Sequence, residues 1–173
     1  PGFSRDHSER MLTSMGLKIT SEKTGVNGNS RYLTVMNPPI SQCALNPLNI
    51  SLPGDFSSAA FLIVAALITP GSEITIRDVG LNATRTGLLD VLLQMGANIE
   101  ITAQRTRGGE PVGDLTIRYS ALHGTDVSGE QVVRMIDEFP IFAIAASFAE
   151  GTSIVRDASE LRLKESDRIS ALC

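Results

Sequence analysis

The longest apolar run of the chain, AAFLIVAALI (Ala59 to Ile68), contains no polar residue. A helix that is apolar on every side is a buried one, and this run is too short to cross a bilayer. It predicts a buried helix over Phe56 to Ile68, and a similar run predicts a second over Pro140 to Ala149. Each leads through a glycine turn into a short β-rich run, Glu73 to Asp78 and Ser153 to Asp157. Amphipathic segments that stop at Gly16 and Gly96 predict helices closed by left-handed glycines. Runs over Asn98 to Ala103 and Asp114 to Tyr119 predict strands on either side of a turn at Gly108-Gly109. Leu48 to Leu52 and Gln131 to Met135 read as further short strands, one before each buried helix.

The pattern repeats. Ser4 to Leu12 (SRDHSERML), Thr84 to Leu92 (TRTGLLDVL) and Lys164 to Leu172 (KESDRISAL) align without gaps at an offset of 80. The identities are few, but apolar positions and glycines keep register outside these segments too. Met15-Gly16 falls on Met95-Gly96, and Gly71 falls on Gly151. The unit is β-α-β-α-β-β, an α+β fold built from repeats. The third amphipathic helix begins near Ser166, and the offset places its closing glycine near position 176. The expectation is therefore an internal fragment with incomplete units.

Composition narrows the class. Of 173 residues, 42% are apolar and 20% charged, as in ordinary globular domains. A net charge of −4 with no tryptophan argues against nucleic acid as a partner. No signal peptide or membrane span is visible, and Cys43 and Cys173 lack metal-ligand spacing, so the expectation is a cytoplasmic protein without a metal. Twelve of the fifteen basic residues are arginine. The planar guanidinium suits bidentate binding of carboxylate and phosphate, although a plain compositional bias gives the same count.

Each unit carries charge in the loop before its amphipathic helix: Arg5 and Asp6, then Arg85, then Lys164, Glu165, Asp167 and Arg168. Helix N-termini present free N–H groups and a partial positive charge, which favour anions. On a continuous helix Lys164 and Arg168 share a face, with Glu165 about 100° away. Two cations beside a carboxylate suit a site that clamps an anion and moves a proton. A solvated helix start capped by Ser166 or Asp167 accounts for the same charges. In MIDEFP (Met135 to Pro140), Asp137 is either a second site acid or an N-cap carboxylate. In PGDFSS (Pro53 to Ser58), Asp55 or Ser57 reads as the cap of the buried helix, and His7 and His123 read as surface residues.

RLKESDRISAL at the end of the chain resembles the C-terminal-half motif of the 5-enolpyruvylshikimate-3-phosphate synthase family. PGDFSSAAFLIVAAL, NATRTGLL and MIDEFPIFAIAASFAEG resemble the same family in the same order. RDHSE (Arg5 to Glu9) and NATR (Asn82 to Arg85) are similar to motifs of its second, bacterial class, often tolerant of glyphosate. The likeness covers essentially the whole chain.

The resemblance implies a two-lobed fold with three β-α-β-α-β-β units per lobe and substrates between the lobes. Residues 1–52 would end the first lobe and residues 53–173 would begin the larger part of the second. The implied reaction transfers the enolpyruvyl group of phosphoenolpyruvate to the 5-hydroxyl of shikimate 3-phosphate, in the shikimate pathway of aromatic amino acid biosynthesis. No metal or organic cofactor is implied, nor any nucleic acid or membrane partner, and the parent is expected to be monomeric.

Carried over residue by residue, Arg5 resembles the arginine that contacts shikimate 3-phosphate, and Asp137 the acid that binds the target hydroxyl and takes its proton. Lys164 matches the lysine near that hydroxyl, Glu165 the glutamate proposed to protonate the methylene carbon, and Arg168 an arginine that holds phosphoenolpyruvate. The family's N-terminal lysine–serine motif, glycine-rich loop, Ser-Ala-Gln motif and later anchors are absent, so the chain alone is expected to be inactive. Two other readings stay open: the UDP-N-acetylglucosamine enolpyruvyl transferase, which shares the fold, and a non-catalytic structural or binding fragment.

Overall fold

The computed structural model describes residues 4–24, 31–37, 39, 41, 44–164 and 166–172. Cys43, Glu165 and Cys173 lie outside this set. Helix α1 (His7–Ser14) ends at Met15, with Gly16 left-handed at φ 99°, and leads into an antiparallel pair, β1 (Lys18–Thr24) and β2 (Arg31–Asn37). The middle unit follows: α2 (Phe56–Ile68), β3 (Glu73–Gly80), α3 (Gly87–Gln94), β4 (Asn98–Arg107) and β5 (Glu110–Arg118). After it come β6 (Asp126–Val127), α4 (Glu130–Arg134), α5 (Phe139–Ser147), β7 (Ile154–Val155), a 3-10 turn (Ser159–Leu163) and α6 (Arg168–Leu172). The succession helix, left-handed glycine, antiparallel pair occurs twice, in α1-β1-β2 and in α3-β4-β5. This part of the predicted repeat is present, and the fold is α+β.

Two predicted strands are not strands. Residues 48–52 form no strand; the backbone there pairs only at Gly54, whose N–H donates to Asp78 O at 2.7 Å and whose carbonyl accepts from Gly80 N at 2.9 Å. Pro47 and Pro53 flank the stretch and supply no N–H to a ladder. Gln131 to Met135 is helical: it falls in α4 and its cap, which turns Val132 and Met135 inward. The strand of that unit lies upstream, where β6 pairs in parallel with β7. A short apolar run does not by itself separate a strand from a buried helical turn.

The middle sheet has the order β3-β5-β4, antiparallel throughout. Its alternating residues Ile74, Ile76, Ile99, Ile101, Leu115 and Ile117 join the core formed with α2 and α3. The inner face of α2 buries Ala60, Ile63, Val64 and Leu67 completely. Helix α2 also packs against α5, where Phe139 and Phe142 meet edge to face at 6.1 Å. At the β4–β5 turn, Gly108 and Gly109 both have positive φ, 55° and 83°, as a two-residue hairpin of this hand requires. Gly87 opens α3 against α4, and a Cβ there would lie 2.8 Å from the Arg134 carbonyl carbon. That contact brings the segment before Asp137 close to the middle unit.

Ile144, Phe148 and Leu172 are exposed, and Ala143 and Ile169 are half-buried. No helix among the described residues is long and apolar enough to cross a membrane. Replacing Ile63, which is fully buried in the middle of α2, with alanine should cost about 2–5 kcal/mol. Phe61→Ala, on the face where that ring is 59% exposed, should change stability by less than about 0.5 kcal/mol. Urea unfolding of the two variants checks the packing. Equal losses would mean that α2 does not bury the face described.

Candidate active site

Asp137 sits in the short connection between α4 and α5, and its carboxylate receives one guanidinium on each oxygen. Arg5, left-handed at φ 58° just before α1, donates from Nη2 to Asp137 Oδ2. Arg168, the first residue of α6, donates from Nη1 to the Ile136 carbonyl at 2.9 Å and stands 3.4 Å from Asp137 Oδ1. The three residues come from distant parts of the chain. The side chain of Asp137 keeps 28% of its surface exposed, so a ligand has access to it.

The neighbouring Glu138 points the other way and is 2% exposed. Its Oε1 accepts from the Ser57 hydroxyl, and Ser57 Oγ in turn accepts from Arg85 Nη2 at 2.6 Å. Arg85 also stands 4.0 Å from the carboxylates of Glu138 and Asp55. Burial pushes the Glu138 carboxyl above the usual glutamate range, and the Ser57 bond and the Arg85 charge only partly offset it. Asp55 caps α2, accepting from Ser58 N at 2.8 Å and Ser58 Oγ at 2.9 Å. Burial raises its carboxyl, but those bonds and the Arg85 charge prevail and hold it below the usual range.

A second polar network holds the start of α1. Asn82, nearly fully buried, donates to Asp6 Oδ1 at 2.7 Å and Glu110 Oε2 at 2.9 Å, while its own oxygen accepts from Thr84 N and Oγ1. Arg10 donates to Asp6 at 2.9 Å and to the Gly109 carbonyl at 3.2 Å. Burial raises the Asp6 carboxyl, yet the bonds from Arg10 and Asn82 outweigh it and leave it below the ordinary range. Arg5 therefore leaves a backbone fixed by its neighbour. His7 is exposed as expected, but it pairs with Glu110 at 2.8 Å. An apolar cleft of about 340 Å³ between α1 and the middle unit is lined in part by Met11, Phe56, Asp55 and Arg85, and does not include Asp137, Lys164 or Arg168. The charged cluster at Asp137 lies outside the lining of this cleft.

The structure thus brings together three of the expected residues, Arg5, Asp137 and Arg168. Lys164 stands apart from Asp137 in its contacts: its ammonium is 3.8 Å from Glu160. Lys164 and Arg168 do not share a helical face, because Lys164 is extended after the 3-10 turn and α6 starts only at Arg168. Glu165 lies outside the described residues. Asp167 is the cap of α6, accepting from Ile169 N and Ser170 N at 3.1 Å each. Asp137 is not a cap: α5 is entered at Glu138, which makes no side-chain capping bond either. Ser57 and Glu138 were missed by sequence reasoning, since a serine at a helix start reads as a cap. The acidic pair Asp137-Glu138 in a single turn was the signal available.

The model of the family described as EPSP synthase (3-phosphoshikimate 1-carboxyvinyltransferase) matches residues 1–173. The chain belongs to the EPSP synthase family. A 3-phosphoshikimate 1-carboxyvinyltransferase of Synechococcus sp. (strain RCC307) is 49% identical over 172 residues, which cover 99% of this chain and 38% of that protein. One from Desulforamulus reducens is 52% identical with the same coverage. A solved EPSP synthase structure from Acinetobacter baumannii superposes with a TM-score of 0.83 at 42% identity, covering 99% of this chain and 36% of that one. The chain spans about 38% of the length of these curated relatives.

The depressed Asp55 carboxyl has a consequence for stability. Its contribution is present above the ordinary aspartate range and is lost as pH falls through its lower folded-state value. Asp55→Asn keeps a capping oxygen and should flatten that part of the pH dependence of urea unfolding. Asp55→Ala should cost about 1 kcal/mol at neutral pH. Unchanged pH dependence in Asp55→Asn would show that the charge contributes nothing.

Proposed function

We propose that this chain supplies part of the active site of an enzyme that transfers the enolpyruvyl group of phosphoenolpyruvate to the 5-hydroxyl of shikimate 3-phosphate. The observation that carries the reading is the Asp137 carboxylate held between Arg5 and Arg168, groups contributed from 132 and 31 residues away. Family membership over the full chain supports it.

In this reading the ligands replace the internal pairs. Arg5 and Lys164 bind shikimate 3-phosphate, and Arg168 binds phosphoenolpyruvate. Asp137, released from its guanidiniums, binds the target hydroxyl and takes its proton as the oxygen attacks the enol carbon. The methylene carbon must gain a proton in the same addition; Glu165 is the donor by resemblance. Loss of phosphate, together with a proton from the methyl group formed in the addition, then restores the double bond in the transferred group. Positioned proton transfer contributes ~100-fold to 10,000-fold, and the fixed cations stabilise charge where it develops. Residues 1–52 close the first lobe and residues 53–173 open the second, with the crossover at Pro53-Gly54. The parent acts in the cytoplasm as a monomer.

Alone, the 173-residue chain should release no phosphate above background from the two substrates, because orienting two anions requires both walls of a site. In a full-length synthase carrying this segment, Asp137→Ala and Glu165→Ala should each lower turnover by ~100-fold or more. Binding of shikimate 3-phosphate should survive Glu165→Ala better than Asp137→Ala. Near-normal turnover in Asp137→Ala would remove its role as base. Turnover with UDP-N-acetylglucosamine in place of shikimate 3-phosphate would favour the related transferase.

A further inference from the structure

Glu138 has no part in the reaction just described, yet it is the one acidic side chain among the buried polar residues of the structure's described part. Taking a carboxylate out of water costs several kcal/mol unless its partners make up for it. The ordinary reason for a glutamate at a helix start is capping, and here it fails: Glu138 enters α5 without any side-chain capping bond. Its Oε1 instead accepts from Ser57 in the first turn of α2, and Ser57 is bonded by Arg85 from the loop between β3 and α3. Three elements of the structure therefore meet at one buried carboxylate. The residue before it on the chain is Asp137.

We propose that Glu138 is a positioning residue: through Ser57 and Arg85 its carboxylate anchors the start of α5 to α2, and so holds Asp137 facing Arg5 and Arg168. This rests on the reading of Asp137 as the base. A side chain adjacent on the backbone to a reacting group can fix it only if its own rotamer is fixed, and two successive hydrogen bonds supply that. The charged groups facing Glu138 are Arg85 from the β3–α3 loop, Asp55 ahead of α2, and Asp137 on its own segment. Arg85 favours the anion and the two aspartates oppose it, while burial opposes it most. The anchor is therefore strongest with Glu138 ionised and weakens as pH falls through its raised value.

The test uses a full-length synthase carrying this segment. Glu138→Gln preserves shape and removes the charge; Ser57→Ala removes the bridging hydroxyl; Ser57→Thr keeps it. Glu138→Gln and Ser57→Ala should lower kcat roughly 10-fold to 100-fold, with KM for phosphoenolpyruvate changed far less. Ser57→Thr should restore most of kcat. The decisive readout is the ratio of parental to Glu138→Gln kcat, which should fall toward one as pH drops through the titration of Glu138. A merely structural role gives a ratio independent of pH, because the same loss of packing acts at every pH. A full-length parent that releases no phosphate with the two substrates removes the synthase reading, and this inference with it. An active parent whose folded variants keep parental kcat, or a ratio that does not vary with pH, overturns the inference alone.

Discussion

Everything at the charged cluster is referenced to the burial of one face of α2. Ala60, Ile63, Val64 and Leu67 take no solvent, and the flanking alanines let the sheet and α5 approach closely. Burying that face at ~25 cal/mol per Å² is the kind of gain that can hold a helix too apolar to stand alone. The burial also fixes a polar consequence. The N-terminus of α2, with its unpaired N–H groups, is brought to the edge of the core, where Asp55 satisfies it and Ser57 reaches α5. Ser57 meets Glu138 because α2 begins at Phe56, one residue before it.

Charge at the site is balanced internally. The single carboxylate of Asp137 faces two guanidiniums, Arg5 and Arg168, while the two of Glu138 and Asp55 face the single Arg85. The two adjacent carboxylates differ in exposure, Asp137 at 28% and Glu138 at 2%, which decides how water acts on them. The pairs of Asp137 are partly exposed and open to exchange with solvent, and exposed pairs are individually weak. Glu138 is shut away, so its partners are not exchanged. One carboxylate is open and its neighbour enclosed, although they are consecutive in the chain.

Much of the architecture was legible in apolar spacing. The helix over Phe56 to Ile68 and the hairpin around Gly108-Gly109 appear as expected, since a solid apolar run and a double glycine leave few alternatives. The strand expected at Gln131 to Met135 was not there, because Val132 and Met135 are buried by a helical turn against α3 rather than by a ladder. In the site, Arg5, Asp137 and Arg168 converge, while Lys164 turns to Glu160, a difference that hangs on where α6 begins. The Ser57–Glu138 bond was not legible at all. Its partners are 81 residues apart, and each has an ordinary local explanation at a helix start.

The separation along the chain of the groups that meet at Asp137 also orders the assembly of the molecule in time. The β4–β5 hairpin closes across two residues, and β3 adds to β5 within the same unit. Contacts of that kind form early because little chain entropy is lost in closing short loops. The Arg5–Asp137 pair closes a loop of 132 residues, and the parallel β6–β7 bridge needs two helices to be in place between its strands. The contacts of the middle unit are thus local in the chain, and those at Asp137 are distant. Asp137 acquires its second guanidinium only when α6, 31 residues further along the chain, is in place.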